Sequence, residues 1–165
     1  MIRFKSQLEK CRDKGWLSFG DKRIHPLDRF QAGQRLFVDF TKSAFPSARA
    51  IDFEAVRVDG GRMKEMPESV AMARQRFNEA IRSIKNYWEW FMVREIVLND
   101  RKVGIKKTTV QQYRHEMEMM KEDLCRGLDQ LAYHYGITYT KPEIKSCQFI
   151  KLEFADMPEK YEIER

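Results

Sequence analysis

Seven consecutive residues, Arg101-Lys102-Val103-Gly104-Ile105-Lys106-Lys107, place four cations and a glycine just before a long amphipathic stretch. Guanidinium and ammonium groups pair with phosphate oxygens, and the open amides and positive dipole end of a helix favour the same anion. The chemistry within reach is therefore phosphate binding, with Arg101, Lys102, Lys106 and Lys107 as candidate ligands. A plain solvated basic loop stays open as the alternative. Other reactive residue types form no working set. His25, His115 and His134 are dispersed, and each reads as a surface or packing histidine. His115, Glu118 and Glu122 share one helical face, but without a second histidine they read as a solvated face. No GxSxG, HExxH, Walker-type or GxGxxG pattern occurs. We expect no catalytic residue, no metal and no cofactor, and read the chain as not an enzyme. Cys11, Cys125 and Cys147 are odd in number and lack paired spacing, which suits small buried hydrophobes in a reducing compartment.

Positioning the basic segment falls to the helix that follows it. Val110, Tyr113, Met117, Met120, Leu124, Leu128, Leu131 and Tyr135 advance by three or four residues at each step, which predicts one apolar face along a long helix. Thr108 or Thr109 supplies the N-cap, and Gly136 is the residue type that ends a helix in the left-handed conformation. With 165 residues, 42% of them hydrophobic, the chain is long and apolar enough to fold around a core. No apolar run approaches the roughly 18 residues of a membrane span, and none follows the N-terminus as a secretion signal. We read it as soluble and cytoplasmic, without a membrane partner. A net charge of +6 makes an anionic partner plausible without requiring one.

Upstream, Ile2, Phe4, Leu8 and Cys11 approximate a first helical stripe that stops at Gly15, and Trp16, Leu17 and Phe19 anchor the connection to the core. Pro26 opens a second helix with Leu27, Phe30, Phe37 and Phe40 on one face; Gly33 within it marks either a weak point or a close approach. Pro46 to Met66 reads as a loop with at most a short hairpin, carrying Arg49, Arg57, Arg62 and Lys64. Pro67-Glu68 opens a third helix reaching towards Asn99, and any break is expected at Asn86. Tyr87, Trp88, Trp90 and Phe91 have more aromatic surface than one face buries, so they sit between helices or form a homodimer contact. Ile137-Thr138-Tyr139-Thr140 and the run from Cys147 to Phe154 are β-like and suggest a small ribbon, with a frayed tail from Met157 to Arg165.

The expected fold class is mainly α: about four helices with a long C-terminal amphipathic helix and a small β ribbon near the C-terminus. The organisation reads as residues 1–25, an N-terminal helix and connector; 26–136, a helical core domain; and 137–165, a C-terminal extension.

Three stretches taken in order carry a resemblance. They are Arg29-Phe30-Gln31-Ala32-Gly33-Gln34-Arg35-Leu36-Phe37-Val38-Asp39-Phe40, then Ala73-Arg74-Gln75-Arg76-Phe77, then Gly127-Leu128-Asp129-Gln130-Leu131-Ala132-Tyr133-His134-Tyr135-Gly136. Together they resemble an uncharacterised domain family of alphaproteobacteria and their phages, found in helix-turn-helix regulators and in activators of gene transfer agents. The family's C-terminal half is similar to the last domain of bacterial sigma factors. The resemblance implies a supporting helix from Trp88 to Leu98, a loop from Arg101 to Lys107 and a recognition helix from Thr108. It nominates Thr108, Thr109, Gln111, Gln112 and Arg114 as base-reading residues, with the preceding lysines on phosphates. The function it implies is a phage-type or prophage-type transcription regulator that binds nucleic acid through the basic loop and the start of the long helix. The alternative is an antiterminator or activator that docks on RNA polymerase through protein contacts.

Overall fold

The computed structural model describes residues 4–43, 68–105 and 109–144, together with the backbone of 161–163. The expected loop from Pro46 to Met66, the β-like run from Cys147 to Phe154, and Cys147 itself lie outside the described residues. The protein is mainly α, as the apolar spacing predicts. Its elements in order are α1 (Gln7–Asp13), a 3-10 turn (Trp16–Ser18), α2 (Pro26–Lys42), α3 (Glu68–Ser83), α4 (Tyr87–Val93), a π-helical turn (Arg94–Leu98), β1 (Val103–Ile105), α5 (Val110–His134) and β2 (Tyr161–Ile163).

Helix α1 starts later than the apolar spacing suggests, because Ser6 caps it. Ser6 Oγ accepts from the Glu9 amide and Glu9 Oε2 accepts from the Ser6 amide, a reciprocal capping box. Phe4 stays outside the core, and Gly15 ends the segment at φ 73° as its residue type predicts. Of the connector residues, Leu17 is fully buried, Trp16 is half-buried and Phe19 is exposed. The expected break at Asn86 is present: α3 ends at Ser83, and Asn86 Oδ1 accepts from the Trp88 amide at 2.9 Å to cap α4. Tyr87, Trp88 and Phe91 are half-buried, and Trp88 packs edge to face on both of the others, its ring centroid 6.0 Å from that of Phe91.

Helix α5 is the axis of the core. Met120, Leu124, Leu128 and Leu131 are fully buried against α2 and α4. The stripe does not continue inward along the whole helix: Val110 is 71% and Tyr113 46% exposed. At 1.5 Å per residue, α5 is about 37 Å long, and its first turns extend beyond the packed core.

Helix α2 corrects the expected face. Phe30 is buried and Phe40 packs on the core, but Leu27 and Phe37 are close to half exposed. The inward face is Arg29, Phe30, Ala32, Gly33, Leu36 and Asp39. Two charged side chains rotate the helix away from its most apolar orientation, because each finds partners inside. Gly33 marks a close approach, since a Cβ there would lie 2.7 Å from Leu8 of α1.

The ribbon is also placed differently. Ile137-Thr138-Tyr139-Thr140 is not a strand: Gly136 turns at φ 67°, and the Ile137 and Thr138 amides both return to the Ala132 carbonyl at 2.9 and 3.3 Å. Those amides close the last turn of α5 and are not offered to a ladder. The strand lies within the supposed basic loop, where β1 pairs antiparallel with β2 in the register Val103↔Ile163, Gly104↔Glu162, Ile105↔Tyr161. Part of the tail expected to fray is therefore paired.

Polar ties cross the core between distant segments. Arg29, 1% exposed, donates from Nε to Asp129 Oδ1 at 2.5 Å and from Nη2 to Asp129 Oδ2 at 3.1 Å. Its remaining reach goes to the connector carbonyls of Leu17 (2.6 Å) and Asp21 (2.7 Å). Asp39 accepts from Arg76 Nε and from the Tyr135 hydroxyl, each at 3.2 Å. Gln130 donates to Glu89 Oε2 and accepts from the Lys85 amide, joining α5 to α4 and to the end of α3. Burial pushes the Glu89 carboxyl above its usual value, against the opposing pull of Gln130.

Asp129→Asn leaves the Arg29 guanidinium buried beside a neutral partner, and loss of one member of such a pair costs about 3 to 5 kcal/mol. We expect a loss at the lower end, about 3 kcal/mol in urea unfolding, because Asn retains one acceptor. A change below about 0.5 kcal/mol, the level of an ordinary surface substitution, would contradict the role assigned to this pair.

Candidate nucleic-acid interface

The nominated segment begins where the π-helical turn ends. Glu95 Oε1 accepts from Arg94 Nε and Asn99 Nδ2, each at 3.0 Å, while the Glu95 carbonyl accepts the Arg101 amide at 2.8 Å. Glu95 Oε2 is buried without a hydrogen bond, and Arg101 Nη1 stands 3.6 Å from it. That separation gives attraction while leaving the guanidinium partly exposed. Asp100 adopts a left-handed φ of 51°, which aspartate tolerates better than most residues. From there its Oδ1 accepts the Gln7 amide at 2.6 Å and so fastens the loop to the first turn of α1. Beyond it, Val103 and Ile105 are buried. Arg101 and Lys102 are therefore exposed on a backbone held at both ends.

Thr109 is the N-cap of α5, with its amide and hydroxyl both donating to Gln112 Oε1 at 3.4 and 2.9 Å. Gln112 thus serves the cap, whereas Gln111 and Arg114 stand exposed on the projecting turns. Lys106, Lys107 and Thr108 lie outside the described residues. Ile105 and Thr109 are four residues apart, so the exposed start of α5 lies within about 14 Å of β1. Carboxylates limit how far along the helix a polyanion can be followed: Glu116 and Glu118 come next, leaving the first turn and a half without an acid.

The connection is not the tight turn of a standard helix-turn-helix. Between the end of the π-helical turn and Thr109 it includes a strand paired with the C-terminal segment. Residues from α1 also join this region. Lys10 and Lys14 line a concavity of about 120 Å³ together with Arg101 and Lys102, beside Gln7 and Trp16. The basic last turn of α1 is visible in the sequence, but its neighbourhood depends on the Asp100 contact, which spans 93 residues.

The remaining polar candidates have structural places. His25 Nδ1 accepts the Leu27 amide at 3.1 Å and caps α2, and His134 packs edge to face on Tyr135. Among the described residues no group of three or more histidines, cysteines and acids could hold a metal. Cys11 and Cys125 are buried free thiols, pushed by burial up to about 11 and about 12, so both stay protonated at neutral pH. No helix among the described residues is long and apolar enough to cross a membrane. Compared with protein-family models, with curated proteins and with solved structures, the chain matches none.

The Asp100 tie sets a quantitative expectation. Asp100→Ala removes the acceptor for the Gln7 amide and puts alanine at a positive φ, a combined loss of about 2 kcal/mol in urea unfolding. Asp100→Asn, which keeps an acceptor and tolerates the same backbone conformation, should retain most of that stability. Equal stability of the alanine variant and the unaltered protein would contradict the anchoring.

Proposed function

We propose that this chain is a phage-type or prophage-type transcription regulator that binds nucleic acid through the basic loop and the start of α5. The observation that carries the reading is the arrangement of exposed groups on a fixed frame. Arg101 and Lys102 lie exposed on a segment held by Asp100, Glu95 and β1, and α5 projects beyond the core with Gln111 and Arg114 outward. Arginine and lysine on a rigid edge hold phosphates and set register. Glutamine and arginine at a helix start have donor and acceptor patterns that match base edges in the major groove. Lys106 and Lys107, adjacent in the chain, add two charges to the same surface in this reading.

A second reading has its own observation. Val110 and Tyr113 are exposed apolar side chains on the same projecting turns, and such a surface favours a protein partner. In this alternative the protein docks on RNA polymerase as an antiterminator or activator and has no independent affinity for DNA.

Salt separates the two. Fluorescence anisotropy of a labelled random duplex should show binding at low salt that weakens by about one power of salt concentration per phosphate neutralised. Replacing Lys106, Lys107 and Arg114 together by alanine should then weaken binding at least about tenfold, while the far-ultraviolet circular dichroism stays unchanged. Absence of binding by the unaltered protein at low salt contradicts the nucleic-acid reading and directs the work to a pull-down of RNA polymerase.

A further inference from the structure

We propose that Glu95 is a positioning residue of the nucleic-acid interface: its buried carboxylate holds the Arg101 guanidinium by one corner and leaves the rest of it for a phosphate. This rests on the nucleic-acid reading above and extends it to a side chain buried behind the surface.

Glu95 lies in the π-helical turn with its side chain only 3% exposed, and its own orientation is fixed. Oε1 accepts from Arg94 Nε and from Asn99 Nδ2, each at 3.0 Å, which holds the carboxylate plane in place. Oε2 is then left facing Arg101. It is buried and accepts no hydrogen bond, and Arg101 Nη1 stands 3.6 Å away. In so dry a place the attraction is little screened, and the cation that meets the carboxylate is held. The main chain adds a second tie, the Arg101 amide donating to the Glu95 carbonyl at 2.8 Å. One residue therefore fixes Arg101 at both backbone and side chain.

The pairing does not use Arg101 up. A guanidinium has five N–H donors in one plane, and at 3.6 Å Nη1 is within ion-pair range of Oε2 but beyond hydrogen-bond range. None of the described residues accepts a hydrogen bond from the Arg101 side chain, which is 42% exposed. Arg29 is the contrary case: 1% exposed, it gives its donors to Asp129 and to two carbonyls and has nothing to offer outside. Charge points the same way. Arg94 shares the carboxylate through Oε1, so two guanidinium groups meet one acid and the cluster keeps a positive charge. Ordering a free arginine on binding costs rotamer entropy, and a side chain already held avoids much of that cost. Lysine could not replace it, since one ammonium cannot face the carboxylate below and pair bidentately with a phosphate above.

The test is a double-mutant cycle on duplex affinity, read by anisotropy at low salt, with Glu95→Gln, Arg101→Ala and the two together. Glutamine keeps the shape of Glu95 and an oxygen for Arg94 and Asn99, while removing the charge that holds Arg101. We expect Arg101→Ala to weaken binding about tenfold in the unaltered protein and only about twofold beside Glu95→Gln. The sign of the coupling decides. An acid that merely screened Arg101 would make the arginine count for more once the acid is neutralised. An acid with only a folding role would leave the factor the same in both backgrounds. Either result overturns the inference, and so does an Arg101→Ala variant that binds as well as the unaltered protein. The guanidinium nitrogen resonances give a readout that needs no variant. In the free protein those of Arg101 should show hindered rotation and slow hydrogen exchange, whereas those of exposed Arg114 should show both only with the duplex bound. Free rotation of the Arg101 guanidinium without DNA overturns the inference even where Glu95→Gln does not fold. If the unaltered protein binds the duplex but one of these contrary results appears, the inference fails and the regulator reading stands. If the unaltered protein binds no duplex, both fall together.

Discussion

A guanidinium buried to 1% exposure has to find all its partners inside the protein, and the fold is arranged so that Arg29 does. Asp129 of α5 supplies two oxygens, and the carbonyls of Leu17 and Asp21 supply the others. A Cβ at Gly20 would lie 2.5 Å from Nη2, so the connector passes the guanidinium only because that residue has no side chain. The consequence is a chain of placement. Arg29 sets α2 against α5 and draws the connector onto both, the connector fixes α1, and the first turn of α1 receives Asp100 from the basic segment. The buried ion pair thus holds α5, whose first turns belong to the candidate interface, against α2. Such a pair adds little net stability over an apolar substitute of the same shape, because desolvation offsets the attraction. Its effect is on register, which is what an interface assembled from distant segments needs.

This arrangement also explains which features the sequence disclosed. Local signals read correctly: the Met120, Leu124, Leu128 and Leu131 stripe, the break at Asn86, the Gly15 and Gly136 stops, and Pro26 at the start of α2. Each depends on residues within a few positions of one another. Misread features depend on distant partners. Arg29 and Asp39 face inward because Asp129, Arg76 and Tyr135 meet them there, and a reading that sends charged residues outward turns α2 the wrong way. Val103-Gly104-Ile105 is too short to announce a strand, and its partner lies near the other end of the chain.

The same pairings bear on the three stretches behind the family resemblance. Arg29 and Asp39 come from the first, Arg76 from the second, and Asp129 and Tyr135 from the third, and they pair with one another across the core. Those residues build the frame. The groups available for recognition, Arg101, Lys102, Gln111 and Arg114, lie outside all three stretches, while Gln112 turns back to the Thr109 cap. A frame of this kind can carry different recognition groups on its edge, which makes the edge the place where function has to be measured.

The measurement that addresses the account most directly is a two-dimensional amide NMR titration of the whole chain with a short DNA duplex. Binding through the basic segment and the start of α5 predicts one set of perturbed amides over the Asp100 to Ile105 segment and the first turns of α5, with those around Arg29 and Asp129 unmoved. Perturbations centred on the far end of α5, around Tyr133 and His134, or none at saturating duplex, would contradict it.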